Sequence, residues 1–182
     1  MLTDLKQPWI LVGYALFANH GPQGLKVEVI ARQVQKSKSS FYHHFADLEV
    51  FTELLLQYHL LQCAHIAEHE RNCQQLIPDL IELLLSFKQD LLFSRQLRIH
   101  NQVPAFRRCF EAANALVGDA LLEVWADSIG LTQQKALAGN LLHLVTEKFY
   151  LQMTAEKFSY EWLLQFFQST LALAGDFQKG VD

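Results

Sequence analysis

Apolar positions fall at helical spacing in one segment of the chain after another. Pro8 suits the first turn of a helix that carries a stripe of Leu11, Tyr14, Ala15 and Ala18 and should stop near Gly21-Pro22. A short segment from Lys26 to Val34 places Val27, Ile30, Ala31 and Val34 on one face. Gln35-Lys36 then reads as a tight turn. Ser37 reads as an N-cap, because its hydroxyl can accept an orphan amide of the helix that follows. That helix runs through Ser40, Phe41, Tyr42, His43 and His44 to Phe45. Asp47 can cap a longer fourth helix bearing Phe51, Leu54, Leu55, Tyr58 and Leu61.

The rest of the chain continues in the same manner. Pro78 is expected to open a helix through Leu80, Leu83, Leu84, Phe87 and Leu91, and Pro104 a region with Phe106, Phe110, Ala113, Leu116, Leu121 and Val124 that ends at Gly130. Thr132 is expected to cap a helix with Leu137, Leu141, Leu144, Val145, Phe149 and Met153, and Ser159 the last, with Trp162, Leu163, Phe166, Phe167, Thr170 and Leu171. No internal repeat or low-complexity linker is visible. The expected division is therefore residues 1–48 and 49–182, with the boundary at the fourth helix rather than in a flexible joint.

Composition supports an all-α chain. Only 4 prolines and 8 glycines occur in 182 residues, and hydrophobic residues make up 51% against 19% charged, which supplies a sizeable core. Cys63, Cys73 and Cys109 are odd in number and lack Cys-x-x-Cys spacing, as expected of reduced thiols. Met1 to Lys6 show no basic region leading into an apolar run, and no apolar stretch is long enough to span a bilayer, so a cytoplasmic location and no membrane partner are expected. The net charge of −4 argues mildly against nucleic acid. Its distribution changes that picture. Residues 1–50 hold five Lys/Arg against four acids, and four of those bases (Lys26, Arg32, Lys36, Lys38) crowd into thirteen residues.

Short helices with a tight turn before the last of them make a helix-turn-helix, whose final helix can enter a DNA major groove. The lengths between Lys26 and His44 fit this motif, although short helical patterns with polar turns are common. The specific signal is an ordered series: Leu16-Phe17-x-x-x-Gly21, Ile30-Ala31, Ser37-Lys38-x-Ser40-x-Tyr42-x-x-Phe45, then the acidic helix start at Asp47 and Glu49. This series resembles the DNA-binding domain of the tetracycline-repressor-like (TetR) family of transcription regulators. The resemblance implies an N-terminal three-helix reading domain, joined by the long fourth helix to a larger helical ligand-binding and dimerisation lobe.

It also implies that Ser40, Tyr42 and His43 contact phosphates while the stretch from Lys38 to His44, including Ser39, reads bases. Lys26, Lys36 and Ser37 join the expected DNA-contacting set. Hydroxyls and imidazoles are short donors to phosphate oxygens, and helix amino ends favour anions. Several positions depart from the family pattern. Gln35 stands where a turn glycine is usual, Lys36 where an apolar residue is, Lys26 where Thr or Ser caps the second helix, Glu28 where a base is common, and Leu48 where a lysine is.

Beyond residue 55 the resemblance is architectural. It implies that the last two helices pair with those of a second copy through Leu137, Leu141, Leu144, Leu163, Phe166, Phe167 and Thr170, giving a homodimer whose reading helices lie about one DNA turn (~34–36 Å) apart. It further implies a small-molecule effector pocket, for which Tyr58, His59, Phe87, Phe106, Phe110, Trp125, His143 and Tyr150 are the candidates; an ordinary core or surface role is the alternative for each.

No metal or other cofactor is expected. His59-x-x-x-Cys63 and His65-x-x-x-His69 are paired at i, i+4, but the two pairs lie on different helix faces and cannot form one four-ligand site. No Gly-x-Ser-x-Gly, phosphate-cradling glycine loop or His-Glu-x-x-His occurs, so no enzyme is expected. The expectation is a DNA-binding regulator, a repressor released or modulated by a ligand. Its alternative is a dimeric helical binding module of the same fold that has lost strong operator binding, motivated by Glu28, Gln35, Lys36 and Leu48.

Overall fold

A computed structural model describes the backbone of residues 5–179 and the side chains of residues 5–174. Helix α1 (Gln7–His20) carries Pro8 in its first turn, where the missing amide has no partner to lose. Its inward face is Ile10, Gly13, Tyr14 and Phe17, with Trp9, Leu16 and Ala18 also buried. Leu11, expected on the buried stripe, is exposed. A stripe through residues 10, 13, 14 and 17 satisfies the same periodicity and buries larger rings. The helix ends at Gly21, whose φ of +66° and ψ of −163° suit only glycine, and a Cβ there would lie 2.8 Å from Gln96 Oε1 and His100 Nε2.

Two short helices follow, α2 (Val27–Gln33) and α3 (Lys38–His44), then the 23-residue α4 (Leu48–Glu70). Asp47 caps α4 as expected, its Oδ1 accepting the Val50 amide at 2.8 Å. The segment predicted to be one helix from Pro78 to Leu91 is broken. A helical turn at Leu76–Leu80 leads into α5 (Ile81–Ser86), and Phe87, with φ −107° and ψ 24°, separates it from α6 (Lys88–Ile99). Pro104 does open the long α7 (Pro104–Ser128), and Gly130 follows its end at φ +67°. Thr132 caps nothing. Helix α8 (Lys135–Gln152) starts three residues later with Gln134 at its N-cap and no side-chain cap. Ser159 accepts the Trp162 amide at 3.3 Å, at the start of α9 (Tyr160–Lys179). Among the described residues there are nine α-helices, no strand, and no helix long and apolar enough to cross a membrane.

The chain divides into two compact units, residues 1–62 with 89–113, and residues 63–88 with 114–182. The first is built on two groups of rings. Trp9, Phe41, Phe45 and Phe51 meet largely edge to face at centroid distances of 4.8–6.3 Å. Tyr14, Phe17, Phe93 and Phe106 form the second, with Phe93 stacked 4.3 Å from Tyr14. Such pairs add about 0.5–1.5 kcal/mol each beyond burial. Gly13 lets α1 approach α4 closely, since a Cβ there would sit 2.4 Å from the Phe51 ring.

In the second unit α5 packs on α9, and Phe149, Phe158, Trp162 and Phe166 make the aromatic core. Lys88 donates to the Ala155 carbonyl at 2.8 Å and lies over the Phe158 ring. Glu70, at the end of α4, is buried with Oε2 lacking a hydrogen-bond partner, and burial pushes its carboxyl up to about 8 against the smaller opposing effect of Arg71.

Candidate nucleic-acid interface

The turn between α2 and α3 decides how the third helix is presented. The Lys36 amide donates to the Ala31 carbonyl at 2.9 Å and the Gln35 amide to Arg32 at 3.1 Å, the paired bonds of a Schellman ending. Such an ending needs a left-handed residue, and Gln35 supplies it with φ +58°. A side chain there costs on the order of 1–2 kcal/mol relative to glycine, offset by carbonyls that would otherwise be unpaired. Ser37 then caps α3, its Oγ accepting the Ser40 amide at 3.1 Å and lying 3.0 Å from the Ser40 hydroxyl.

Helix α3 is fastened from behind. Phe41 is fully buried and Phe45 nearly so, both against Trp9. Lys6 places its ammonium 5.4 Å from the centroid of the Phe45 ring. The opposite side of the helix faces outward. Lys38, Ser39, Tyr42 and His43 are exposed, Tyr42 at 56%, and Ser40 is half-buried. Lys26, Lys36 and Ser37 are exposed beside them, as is Arg32. His44 departs from this set. Its ring is half-buried, tilted against Trp9 at 6.0 Å and close to Phe45, so it belongs to the rim of the core more than to the outward face.

The face is mixed in charge. The Lys38 ammonium is paired with the Glu28 carboxylate on α2, which holds Glu28 below the usual carboxylate range, with Lys26 adding a smaller pull in the same direction. The outward side of α3 thus offers Lys38, Ser39, Tyr42 and His43 to solvent, side chains able to donate to phosphate oxygens or base edges.

Residues 10–49 match the family model of the bacterial regulatory proteins of the TetR family. Over that N-terminal segment the chain is similar to this family. Across its length the chain also shares the fold of solved structures assigned to TetR-family transcriptional regulators. One from Mesorhizobium loti superposes with a TM-score of 0.63 at 20% identity, over 95% of this chain and 97% of that one. One from a Rhodococcus species gives a TM-score of 0.50 at 15% identity, over 93% and 100%. At these identities the likeness establishes a shared all-helical fold. No curated protein sequence matches the chain.

In this TetR-family fold the eight effector candidates divide evenly between the two units: Tyr58, His59, Phe106 and Phe110 in the first, Phe87, Trp125, His143 and Tyr150 in the second. Several have other work within their own unit. His59 is fully buried and its ring nitrogens face Tyr14 Oη at 2.7 Å and Ser94 Oγ at 3.0 Å. Tyr14 in turn donates to Asp90 Oδ1 at 2.8 Å. Burial pushes His59 down to about 3, so the imidazole is neutral. Tyr58 packs edge-on to Tyr14, and Phe106 on Phe17. Trp125 is committed through its indole N–H, which donates to the Ala138 carbonyl at 2.9 Å. Tyr150 is buried beside Phe149, Phe110 is buried, and Phe87 is half-buried against His65 and His69. His143 lies exposed on α8, where the sequence offers no sign of its orientation.

The polar chain of Ser94, His59, Tyr14 and Asp90 is absent from the residues that sequence reasoning brought together. Its members span 80 positions of sequence from Tyr14 to Ser94; Asp90 and Ser94 lie one turn apart on α6, but no local spacing links them to Tyr14 or His59. The histidine pairs on α4 behave as separate features. His65 and His69 are exposed with ring centroids 4.3 Å apart, while Cys63 is buried, and no group of three metal-ligating side chains occurs among the described residues.

The residues expected to pair two copies also sort by burial. Leu163, Phe166, Phe167 and Thr170 on α9 are buried within the chain, so they fill its own core. Leu141 is half-buried, whereas Leu137 and Leu144 are exposed. Sequence reasoning missed Leu151 and Leu173, exposed at 71% and 53%. The signal for Leu151 was present: Leu137, Leu144 and Leu151 recur every seven residues along α8.

Proposed function

We propose that the chain is a transcriptional repressor of the TetR type that binds operator DNA as a homodimer. Helix α3 lies in the major groove, with Lys38, Ser39, Tyr42 and His43 reading bases or phosphates, Ser37 and Ser40 at the anion-favouring amino end, and Lys26 and Lys36 on the flanking backbone. The single observation that carries this reading is the outward presentation of α3, capped by Ser37 and pinned from behind by Phe41 and Phe45. Residues 1–48 act as the reading domain and residues 49–182 as the ligand-binding and dimerisation part. Support for the dimer comes from α8, whose exposed leucines at 137, 144 and 151 form an apolar stripe facing solvent in a single copy.

A small-molecule effector bound within residues 49–182 lowers operator affinity in this proposal. Its basis is the family fold, in which a helical lobe accompanies the reading domain. Support also comes from the small positive balance of the reading segment, five Lys/Arg against four acids in residues 1–50, which leaves affinity modest and open to adjustment. The cytoplasm is the compartment this function requires.

Mobility shift with the duplex upstream of the chain's own gene tests the assignment. Wild type is expected to shift it, and Lys38→Ala and Tyr42→Ala to weaken the shift by tenfold or more. Unchanged binding in both variants rejects α3 as the reading helix.

A further inference from the structure

The pairing of Lys38 with Glu28 places a carboxylate within the surface assigned to DNA. Lys38 is the first residue of α3 and Glu28 lies in the first turn of α2, so the contact bridges the two helices of the motif. Both side chains are more than half exposed, at 57% and 60%, which leaves them open to an approaching duplex. An exposed pair of this kind is worth a factor of up to about five in an equilibrium, enough to bias a contact without locking it.

The consequence follows from charge. A lysine ammonium has three donors, so Lys38 can keep one on Glu28 and still offer the others. A phosphate oxygen that approaches those donors also approaches the Glu28 carboxylate, and like charges repel. The major-groove edge of guanine, with O6 and N7, is an acceptor of hydrogen bonds but carries no net charge. It meets the same donors without that repulsion. We infer that Glu28 is a specificity-determining residue, which converts Lys38 from a sequence-independent phosphate contact into a reader of neutral base acceptors, guanine first among them. This rests on the DNA-reading function proposed above and assigns discrimination to a residue outside the reading helix. It works through an introduced repulsion, by which the wrong contact is weakened more than the right one.

An alternating dA–dT duplex, whose major groove offers adenine N7 and thymine O4 but no guanine, is compared with a guanine-rich duplex of the same length. Binding of both by the full chain is measured at low salt for wild type, K38Q, K26Q, E28Q and E28Q/K38Q. Lys26 serves as the reference for an ordinary phosphate-facing lysine. K26Q is expected to weaken binding of the two duplexes by the same factor, whereas K38Q weakens binding of the guanine-rich duplex more than that of dA–dT. E28Q is expected to tighten dA–dT binding about two- to fivefold, to steepen the salt slope by about 0.9 per subunit and to narrow the preference for guanine, and K38Q is expected to cancel most of that gain in the double variant. Equal losses on the two duplexes for K38Q, or an E28Q gain that survives intact without Lys38, overturn the role of Glu28. Failure of wild type to bind either duplex contradicts the DNA-reading function itself, which separates the two failures.

Discussion

Tyr14 and His59, 45 residues apart, share a buried hydrogen bond of 2.7 Å whose polarity is fixed by its neighbours. Because the Tyr14 hydroxyl donates to Asp90, its oxygen accepts from His59 Nδ1–H, and Nε2 is left to accept from Ser94. One run of donors therefore connects Ser94 on α6, His59 on α4, Tyr14 on α1 and Asp90 on α6. Each buried polar group in it is satisfied by the next.

Tyr14→Phe deletes the middle of that run while keeping the ring against Phe93. Buried His59 and half-buried Asp90 each lose a partner, so the variant should be destabilised by about 1–3 kcal/mol. A lowered urea midpoint with unchanged slope is the expected outcome. An unchanged midpoint would mean that water replaces the hydroxyl at no cost.

Stability should depend on pH through two buried groups acting in opposite directions. His59 titrates at about 3 in the fold and near its ordinary 6.5 when unfolded, so only the unfolded chain takes up this proton as pH falls below 6.5. Its contribution is complete above that pH and is lost toward 3. Glu70 titrates at about 8 in the fold against an ordinary 4.5, so its protonated form favours the fold below 4.5 and that advantage is lost as pH rises to 8. Between 4.5 and 6.5 the two slopes oppose each other. Above 6.5 Glu70 acts alone of the pair, with a slope of up to about 1.4 kcal/mol per pH unit. Urea midpoints should therefore decline from pH 6.5 to 8 in wild type, and less steeply in Glu70→Gln.

The turn of the reading motif can be tested from both sides. Gln35→Gly relieves a side chain from a left-handed backbone and should raise stability by as much as about 1 kcal/mol, less the added freedom of the unfolded glycine. Ser37→Ala removes the α3 cap and should lower it by about 1 kcal/mol. Thermal or chemical denaturation of the two variants reads both, and a stabilised Ser37→Ala would show that the cap contributes nothing.

These two positions also show what was legible in the sequence. The cap, the turn and the buried rings of α3 follow from spacings of a few residues, because the physics that sets them is local. The face of α1 was harder to read. Leu11 and Ile10 both continue an apolar stripe, and the choice between them is made by rings elsewhere, such as Phe51 on α4. On α9, Leu163, Phe166 and Phe167 form a stripe that fits an internal core as well as a partner, and periodicity cannot tell the two apart. The run from Ser94 to Asp90 had no sequence signal at all, since it exists only once three helices have come together.

The leucine stripe on α8 gives a prediction of its own. Leu144→Glu places a charge at the middle of the exposed row and should shift sedimentation of the chain from dimer to monomer, with the helical content preserved. A variant that sediments as wild type would remove α8 from the interface.

The account as a whole depends on the outward face of α3 meeting phosphates in two copies at once. Its most direct test is the salt dependence of affinity of the full chain for the duplex upstream of its gene. With Lys26 and Lys36 engaged in each subunit, and Arg32 adding to them, the logarithmic slope should lie at about −4 to −5. A slope near zero, or no complex at low salt, would contradict the account.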